Sequence, residues 1–558
     1  MTFRQRFLSF IGAAWRRLDQ ASAWRFAMVA MPLVFGLMSL RLGQDDNWDL
    51  KNYHLYNPFA LLNGKIGFDL APAQWQSYFN PTLDLLYYGL THALPGPVAG
   101  FVMGCLHGLN FVLAAAIARY ALPHKGYRLP LLLALAGTLG AGFLTQLGNS
   151  MGDNTTSLLV LGAVLLVLSN FHRLARGGGG GAAPAIGAGI VMGLGAGLKL
   201  TNATYALALC LALFALPGNA WPRLRAAFVF GVGVLAGIAA SAGHWYWKMW
   251  TVFGNPLFPQ FNDRFHGPLA APIGIGDTGW LPRGLAEKFL WPFIFALDSK
   301  RVGELKLTLL LWPALYAAFA LLALTFLFRR PAAVADEAAP LQRMLLAFFA
   351  LAYLGWLNLF GIYRYLIPLE LIAPLALWLV LHRLAPPPLA ARIGAAALVA
   401  ATIAGLPHAS WGHASWARAA FSAEVPAFPQ PQESLVFTVH GDPPMGWLVT
   451  LFPKSLAFVS LGSGFPESQA YQDRVRAMVA SRRGPLYVML QADRADPAQP
   501  RSEADRRRAQ EANRETLGKA RDLLARYGFV LDQSSCRSHP AFIGRTRWAY
   551  QLCTVSAR

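Results

Sequence analysis

Long apolar runs alternate with short polar connections over residues 1–407. Runs close to the ~20 residues that a helix needs to cross a bilayer occur about eleven times, so the pattern predicts about eleven transmembrane helices. Their approximate bounds are 24–42, 97–120, 129–147, 155–172, 184–200, 202–217, 226–249, 307–328, 341–360, 365–383 and 390–407.

Charged residues alternate between the connections. Basic residues fall in every second connection, which is typical of cytoplasmic loops, and this places the N-terminus inside. Examples are Arg16, Arg17, Lys125, Arg128, Arg383 and Arg392. The opposite connections hold acids, among them Asp45, Asp46, Asp49, Asp69, Asp84 and Asp153. The alternation predicts a C-terminus on the outer side.

Two of the outer connections are large, at about 43–96 and about 250–306. The first contains an apolar and aromatic stretch, 53–62, that predicts a helix lying in the membrane interface and ending at a turn at Asn63-Gly64. The second is rich in Pro, Gly and aromatic residues, and we expect it to lie on the membrane surface.

The pattern changes from about residue 408. Stretches 434–439 and 486–490 predict strands, and 474–481 and 511–527 predict helices. The expected fold is therefore an α-helical polytopic membrane domain over 1–407, followed over 408–558 by a small α/β domain outside the membrane.

Composition agrees with this class. Of 558 residues 55% are hydrophobic and 14% are charged, against roughly 25% charged in soluble proteins. The net charge of +20 lies mainly in short connections between spans, so we expect no nucleic acid as a partner. Cys105 and Cys210 lie in apolar spans, whereas Cys536 and Cys553 lie in the outer domain, where an oxidising periplasm permits a disulfide.

Three acids directly follow the first span: Asp45, Asp46 and Asp49. If the segment is helical, Asp49 shares a face with either of the other two. Paired carboxylates can divide the work, one accepting a proton and another orienting a substrate. The alternative is a solvated acidic loop with no chemical role.

Two polar groups occur at other outer turns. Asp153 either joins the acids of the first loop or lies beside Asn154, which could cap the next helix. Lys199 is the one basic residue in 177–222 and is expected on the outer side of the membrane. A single positive charge on that side suits the binding of a phosphate. The alternative for Lys199 is a side chain that reaches the interface without a ligand.

Arg364 lies outside between two aromatic residues, Tyr363 and Tyr365. A guanidinium can hold a phosphate by two parallel hydrogen bonds. Glu370 follows inside a span, where it could pair with Arg364. No nucleophile elbow, P-loop or paired CxxC occurs in the sequence.

A cytoplasmic N-terminus, one span and an acidic outer loop that runs into an aromatic helix resemble the C-type (GT-C) glycosyltransferase fold. The stretch 49–62, with Tyr53-His54-Leu55, is similar to the start of bacterial mannosyltransferases and aminoarabinose transferases that span the membrane many times. The resemblance covers the architecture of roughly the first 400 residues and a few short motifs.

The resemblance implies transfer of a sugar from a polyprenyl-phosphate carrier to a cell-envelope acceptor, on the outer face of a bacterial inner membrane. An aspartate of the first outer loop would act as base or place the acceptor, and Asp46 is preferred over Asp45. Lys199 and Arg364 would hold the carrier phosphate. The expected substrate-binding residues are Tyr53, His54, Asp153, Lys199, Tyr363 and Arg364. The acids do not form a Glu-x-Asp or Asp-x-Asp motif, so no metal ligand is assigned and a divalent cation stays an open option.

Three other functions remain open at this stage. The chain could transport or flip lipid-linked glycans, although transporters usually place polar groups near the midplane on repeated halves. It could polymerise or ligate whole glycan chains, or it could be a non-catalytic assembly factor. The sugar, the acceptor, the stereochemical outcome and the oligomeric state do not follow from the sequence.

Overall fold

The computed structural model describes residues 12–13, 15–176, 179–328, 338–406, 409–492 and 502–558. The longer helices of the membrane part are α1 (Ala21–Leu42), α4 (Gly96–Ala121), α5 (Arg128–Thr138), α7 (Asp153–Ser169), α9 (Gly179–Leu198), α10 (Ala203–Ala212), α11 (Ala220–Phe253), α13 (Leu285–Leu297), α14 (Leu311–Phe328), α15 (Ala339–Leu359), α16 (Ile367–Leu384) and α17 (Pro387–Gly405). Shorter ones are α2 (Tyr56–Leu62), α3 (Asp84–Ala93), α6 (Ala141–Thr145), α8 (Phe171–Arg176) and α12 (Asn262–Phe265).

Seven helical segments among the described residues are long and apolar enough to cross a membrane, which indicates a multi-pass membrane protein. They are Ala21–Leu42, Gly96–Ala121, Gly180–Leu198, Ala220–Phe253, Ala339–Leu359, Tyr363–Leu384 and Pro387–Gly405. Four shorter apolar segments, Arg128–Thr138, Asp153–Ser169, Leu200–Ala215 and Leu311–Thr325, lie where the other four spans were expected. The number of eleven spans stays a prediction.

The connections that were assigned to the cytoplasm meet at one end of the bundle. Asp19, just before α1, accepts a hydrogen bond from the backbone N–H of Arg128 (2.9 Å). Gln342 of α15 donates to the carbonyl of Ala121 (2.9 Å) and accepts from Arg383 (2.9 Å). These contacts agree with a shared side for the connections they join, while the alternation of the remaining connections and the orientation of the bundle in a membrane stay predictions.

The segment predicted as one span over 129–147 is broken instead. Helix α5 ends at Thr138 and the short helix α6 begins at Ala141. The carboxylate of Glu370 in α16 accepts hydrogen bonds from the N–H groups of Gly142 (3.0 Å) and Phe143 (2.8 Å), which a continuous helix would use internally. A buried acid thus satisfies the backbone at the break.

The C-terminal residues form a mixed β-sheet with helices, as the apolar runs predicted. Its strands are β3 (Phe421–Ala423), β4 (Leu435–Val439), β5 (Ala457–Leu461), β6 (Leu486–Gln491), β7 (Phe529–Leu531), β8 (Arg537–Ile543) and β9 (Thr546–Ala557), with helices α18 (Gly446–Val449), α19 (Gln469–Ala480) and α20 (Glu503–Arg526). The strand order is β3-β8-β9-β6-β4-β5, with β7 beside β9. Strand β4 runs parallel to β5 and β6, and the other pairs are antiparallel.

Both faces of this sheet are buried, which explains why β4 is apolar at nearly every position. Leu435 and Phe437 pack in one cluster with α19, α20 and the end of α11, whereas Val436 packs in another with the first outer loop. Helix α2, predicted to lie in the membrane interface, is instead buried against the C-terminal domain, and Tyr56 and Phe59 belong to that second cluster. The interface prediction is wrong because the sheet supplies the apolar surface that a membrane was expected to supply.

Backbone pairing also joins the two domains. A short strand β1 (Gln44–Asp45) pairs antiparallel with β2 (His413–Ala414), which precedes the main sheet. The first outer loop reaches the far sheet edge, where Leu70 bridges to Val459 of β5. Cys536 and Cys553 form the predicted disulfide.

Candidate functional site

Asp45 holds the first outer loop in place. Its Oδ1 accepts hydrogen bonds from the backbone N–H (3.1 Å) and side-chain amide (2.7 Å) of Asn47, and its Oδ2 accepts from the N–H of Ser150 (2.7 Å). Asn47 in turn accepts from the N–H of Leu50 (2.8 Å), at the start of a π-helical segment, Leu50–His54. Asp45 is 1% exposed, and three hydrogen bonds commit both of its carboxylate oxygens to holding the loop.

Asp46, the preferred base in the sequence interpretation, faces a different partner. Its carboxylate lies 3.0 Å from Nζ of Lys51, and that ammonium lies 4.2 Å from the ring centre of Trp548 in the C-terminal sheet. Asp46 therefore belongs to the contact between the loop and the C-terminal domain. This geometry favours another acid for the site.

Asp49 contacts Arg364, which is far away in sequence. Its Oδ2 lies 2.6 Å from a guanidinium nitrogen of Arg364, in the segment Tyr363–Leu366 that precedes α16. Burial acts to raise the pKa of Asp49, but the charge and hydrogen bond of Arg364, together with the charge of Lys199, oppose burial, and the pKa is lowered. Asp49 is consequently a stable anion at neutral pH.

Lys199 and Asp153 form a second ion pair nearby. Nζ of Lys199 lies 2.5 Å from Oδ1 of Asp153 and donates to the carbonyl of Met151 (2.8 Å). This ammonium lies 5.3 Å from the ring centre of Tyr365, and the Arg364 guanidinium lies at the same distance from that ring. Two cations from separate apolar segments thus meet around one aromatic ring.

Tyr53 and His54 lie beside this cluster. Their ring centres are 4.1 Å apart, and Nδ1 of His54 lies 2.7 Å from Oδ1 of Asp84 at the start of α3. Burial raises the pKa of Asp84, although the hydrogen bond with His54 opposes that shift. Asp84 and Asp49 interact electrostatically, so the His54–Asp84 pair adjoins the ion pair of Arg364.

Tyr363 anchors the segment that carries Arg364. Its hydroxyl donates to Glu370 (2.5 Å) and accepts from the indole N–H of Trp312 (2.8 Å). The expectation that Glu370 pairs with Arg364 is wrong, because its carboxylate is taken up by this hydroxyl and by the backbone at the start of α6.

A small pocket with a volume of about 10 Å³, room for roughly one water molecule, lies beside Arg364. Its walls include Trp411, which follows the last apolar helix and lies 5.8 Å from the guanidinium, and Thr145 and Ser299. A cation, an aromatic face and hydroxyl groups line this pocket, but its volume is too small for a phosphorylated sugar. Within the described ranges no three His, Cys, Asp or Glu side chains come together as a metal site would need.

Of the expected site residues, the structure brings Asp49, Tyr53, His54, Asp153, Lys199 and Arg364 together. Asp45, Asp46 and Tyr363, expected in the same site, bond to other partners. Sequence reasoning missed Asp84, Tyr365 and Trp411 as members of the site. Asp84 was visible as an outer acid and Tyr365 as a neighbour of Arg364, but nothing local marked Trp411. No protein-family model, curated protein or solved structure matches the chain.

Proposed function

We propose that this chain is a membrane glycosyltransferase that moves a sugar from a polyprenyl-phosphate carrier to a cell-envelope acceptor on the outer face of a bacterial inner membrane. The observation that carries the proposal is the convergence of Lys199 and Arg364 around Tyr365, each beside a carboxylate. The resemblance to the C-type fold supports the same reading, with Arg364 and Lys199 at the two positions assigned to the phosphate.

The chemistry needs cations at this place. When the bond between the anomeric carbon and the phosphate oxygen breaks, the leaving polyprenyl phosphate gains negative charge, which Lys199 and Arg364 stabilise. Arg364 can bind two phosphate oxygens at once, whereas Lys199 acts as a point charge. The apolar helices around the cluster supply the surface for the polyprenyl tail.

Asp49 takes the place given to Asp46 in the sequence interpretation. As an anion held 2.6 Å from Arg364, it orients the guanidinium and helps to place the acceptor. The disulfide between Cys536 and Cys553 fits a C-terminal domain in an oxidising periplasm, where the acceptor would be met.

The test is donor turnover by the purified protein in nanodiscs. Short polyprenyl-phosphate hexoses are supplied with an envelope extract, and mass spectrometry follows the released polyprenyl phosphate. Lys199→Met and Arg364→Met should each lower the rate by about 10²–10³-fold, the usual effect of losing one group that stabilises a developing anion.

Lys288→Met is the matched control, since Lys288 is a partly exposed cation of the second outer loop that bonds Asn358 (2.7 Å). Its turnover should equal that of the wild type. Equal rates for all three variants would reject the phosphate assignment. A folded wild-type protein that releases nothing from any donor would reject the transferase.

A further inference from the structure

His54 is a buried histidine whose Nδ1 atom contacts a carboxylate and whose Nε2 atom has no hydrogen-bond partner among the described residues. His54 and Asp84 are both buried, at 4% and 5% exposure, and Nδ1 lies 2.7 Å from Oδ1 of the carboxylate. Among the described residues Nε2 of His54 has no hydrogen-bond partner, although it is fully buried. Most buried polar atoms in proteins are paired, so an unpaired ring nitrogen beside two ion pairs points to a ligand.

The pairing with Asp84 selects the tautomer. An ionised carboxylate can only accept, so the Nδ1 atom of a neutral imidazole carries the hydrogen and Nε2 keeps its lone pair. A carboxylate that orients an imidazole in this way is the arrangement that general bases use in hydrolases. Asp84 also lies within the electrostatic reach of Lys199 and Asp49, so the pair belongs to the cluster around Tyr365.

The acids of the first loop are poorly suited to accept a proton. Asp45 accepts three hydrogen bonds and Asp46 pairs with Lys51. Asp49 is bound to Arg364, and its lowered pKa weakens it as a base. Among the described residues Oδ2 of Asp153 is also buried without a hydrogen-bond partner, but that carboxylate is paired with Lys199 through Oδ1 (2.5 Å). The imidazole is therefore the best-placed proton acceptor beside the cations.

We propose that Nε2 of His54 takes the proton from the hydroxyl group of the acceptor, and that Asp84 is the positioning residue that holds the imidazole. The inference rests on the proposed function. The acceptor oxygen forms a bond to the anomeric carbon, and the carbon–oxygen bond to the phosphate breaks. The electron pair leaves with polyprenyl phosphate, the proton passes to Nε2, and His54 then returns it to water. The acceptor is thereby a hydroxyl-bearing molecule, such as a glycan or a lipid-linked sugar.

The groups around the imidazole are consistent with this role. Tyr53 packs against it with ring centres 4.1 Å apart, and Phe79 lies edge-on to Tyr53 at 5.4 Å. The aromatic side chains form one wall of the pair. The charged groups around the pair are the carboxylates of Asp84 and Asp49 and the cations Lys199 and Arg364.

The experiment measures kcat and KM in the polyprenyl-phosphate hexose assay with His54→Gln, His54→Ala and Asp84→Asn. Gln keeps a donor for Asp84 but cannot take a proton, so kcat should fall by about 10²-fold or more while KM changes little. Asp84→Asn should lower kcat, and added imidazole should restore part of the rate of His54→Ala. His92→Gln is the control, because His92 is an exposed histidine of α3 and its replacement should change nothing.

The outcomes separate this inference from the proposed function. If wild-type protein turns over donor and folded His54→Gln does so at the same kcat, His54 is not the base and the transferase stands. The same conclusion follows if imidazole fails to restore His54→Ala while that variant melts at the wild-type temperature. If folded wild-type protein is inactive with every donor, both fail together.

Discussion

The ion pair between Asp49 and Arg364 should couple the first outer loop to the membrane helices. The two side chains are 13% and 18% exposed and their charged atoms are 2.6 Å apart. Removing one partner of a buried pair costs about 3–5 kcal/mol, because the other charge is left unpaired. Since both side chains retain some contact with solvent, we expect about 2–3 kcal/mol for Asp49→Asn or Arg364→Met.

The double variant should cost less than the sum of the two single variants. With both charges gone, neither is left buried alone, and residues in contact typically show a coupling energy of about 0.5–3 kcal/mol. The assay is thermal unfolding of the purified protein in detergent for the wild type, both single variants and the double variant. Single effects that simply add in the double variant would refute the coupling.

The second outer loop contains a control pair. Arg301 lies 2.9 Å from Glu287, and these side chains are 28% and 27% exposed. More solvent around the pair predicts a smaller cost, about 0–1 kcal/mol, for Arg301→Met or Glu287→Gln. A control pair that costs as much as the Asp49 pair would show that burial does not set the magnitude.

The pH dependence has a defined sign. The folded state lowers the pKa of Asp49 below its ordinary 3.8, because the nearby cations outweigh burial. The stabilisation is therefore complete above 3.8 and is lost as the pH falls through the lower folded-state pKa. The difference in melting temperature between wild type and Asp49→Asn should be constant at neutral pH and shrink in acid. A difference that grows in acid would contradict the charge assignment.

Three further predictions concern stability. Replacing Cys536 and Cys553 by Ser should destabilise the C-terminal domain by about 3 kcal/mol, the value for a closed loop of this size, and limited proteolysis with and without reductant would check it. Burial, opposed by the neighbouring lysine, raises the pKa of Asp69 to about 6. The stabilising contribution of Asp69 is therefore present below pH 3.8, its ordinary pKa, and is lost as the pH rises through about 6. The melting temperature of the wild type relative to Asp69→Asn should fall between about pH 4 and about pH 7. A Cβ atom at Gly193 would lie 2.1 Å from a backbone oxygen of α11, whereas a Cβ atom at Gly187 would have no neighbour within 4 Å. Gly193→Ala should therefore lower the melting temperature, and Gly187→Ala should not.

Local pattern located most of the long helices and two strands of the sheet, although it missed the break between α5 and α6 and the helix α13. Apolar runs separated by basic connections marked the membrane helices, because a helix in lipid must be apolar over its whole length. The strands β4 and β6 were visible as short apolar runs. The disulfide was predicted because Cys536 and Cys553 are the two cysteines of the outer domain. Asp49, Lys199 and Arg364 were visible because charges are rare beside apolar spans.

Pairing between distant residues was not visible in the pattern. Three acids within five positions look alike in sequence. In the structure Asp45 accepts a hydrogen bond from Ser150, Asp46 pairs with Lys51 beside the C-terminal domain, and Asp49 pairs with Arg364. Each of these outcomes depends on which backbone or side-chain groups the folded chain brings within about 3 Å of the carboxylate. An acid in the first turn of a helix is normally explained by its favourable interaction with the helix dipole. The contact of Asp84 with His54 therefore could not be anticipated from the sequence.

The sequence also did not predict that the first outer loop is buried against the C-terminal domain. The aromatic residues of α2 suit a membrane interface and a protein core equally well, because both remove apolar surface from water. The choice depends on whether another apolar surface is within reach, and here the C-terminal sheet supplies one. Apolar pattern thus identifies which surfaces must be covered, whereas contacts between residues hundreds of positions apart determine what covers them.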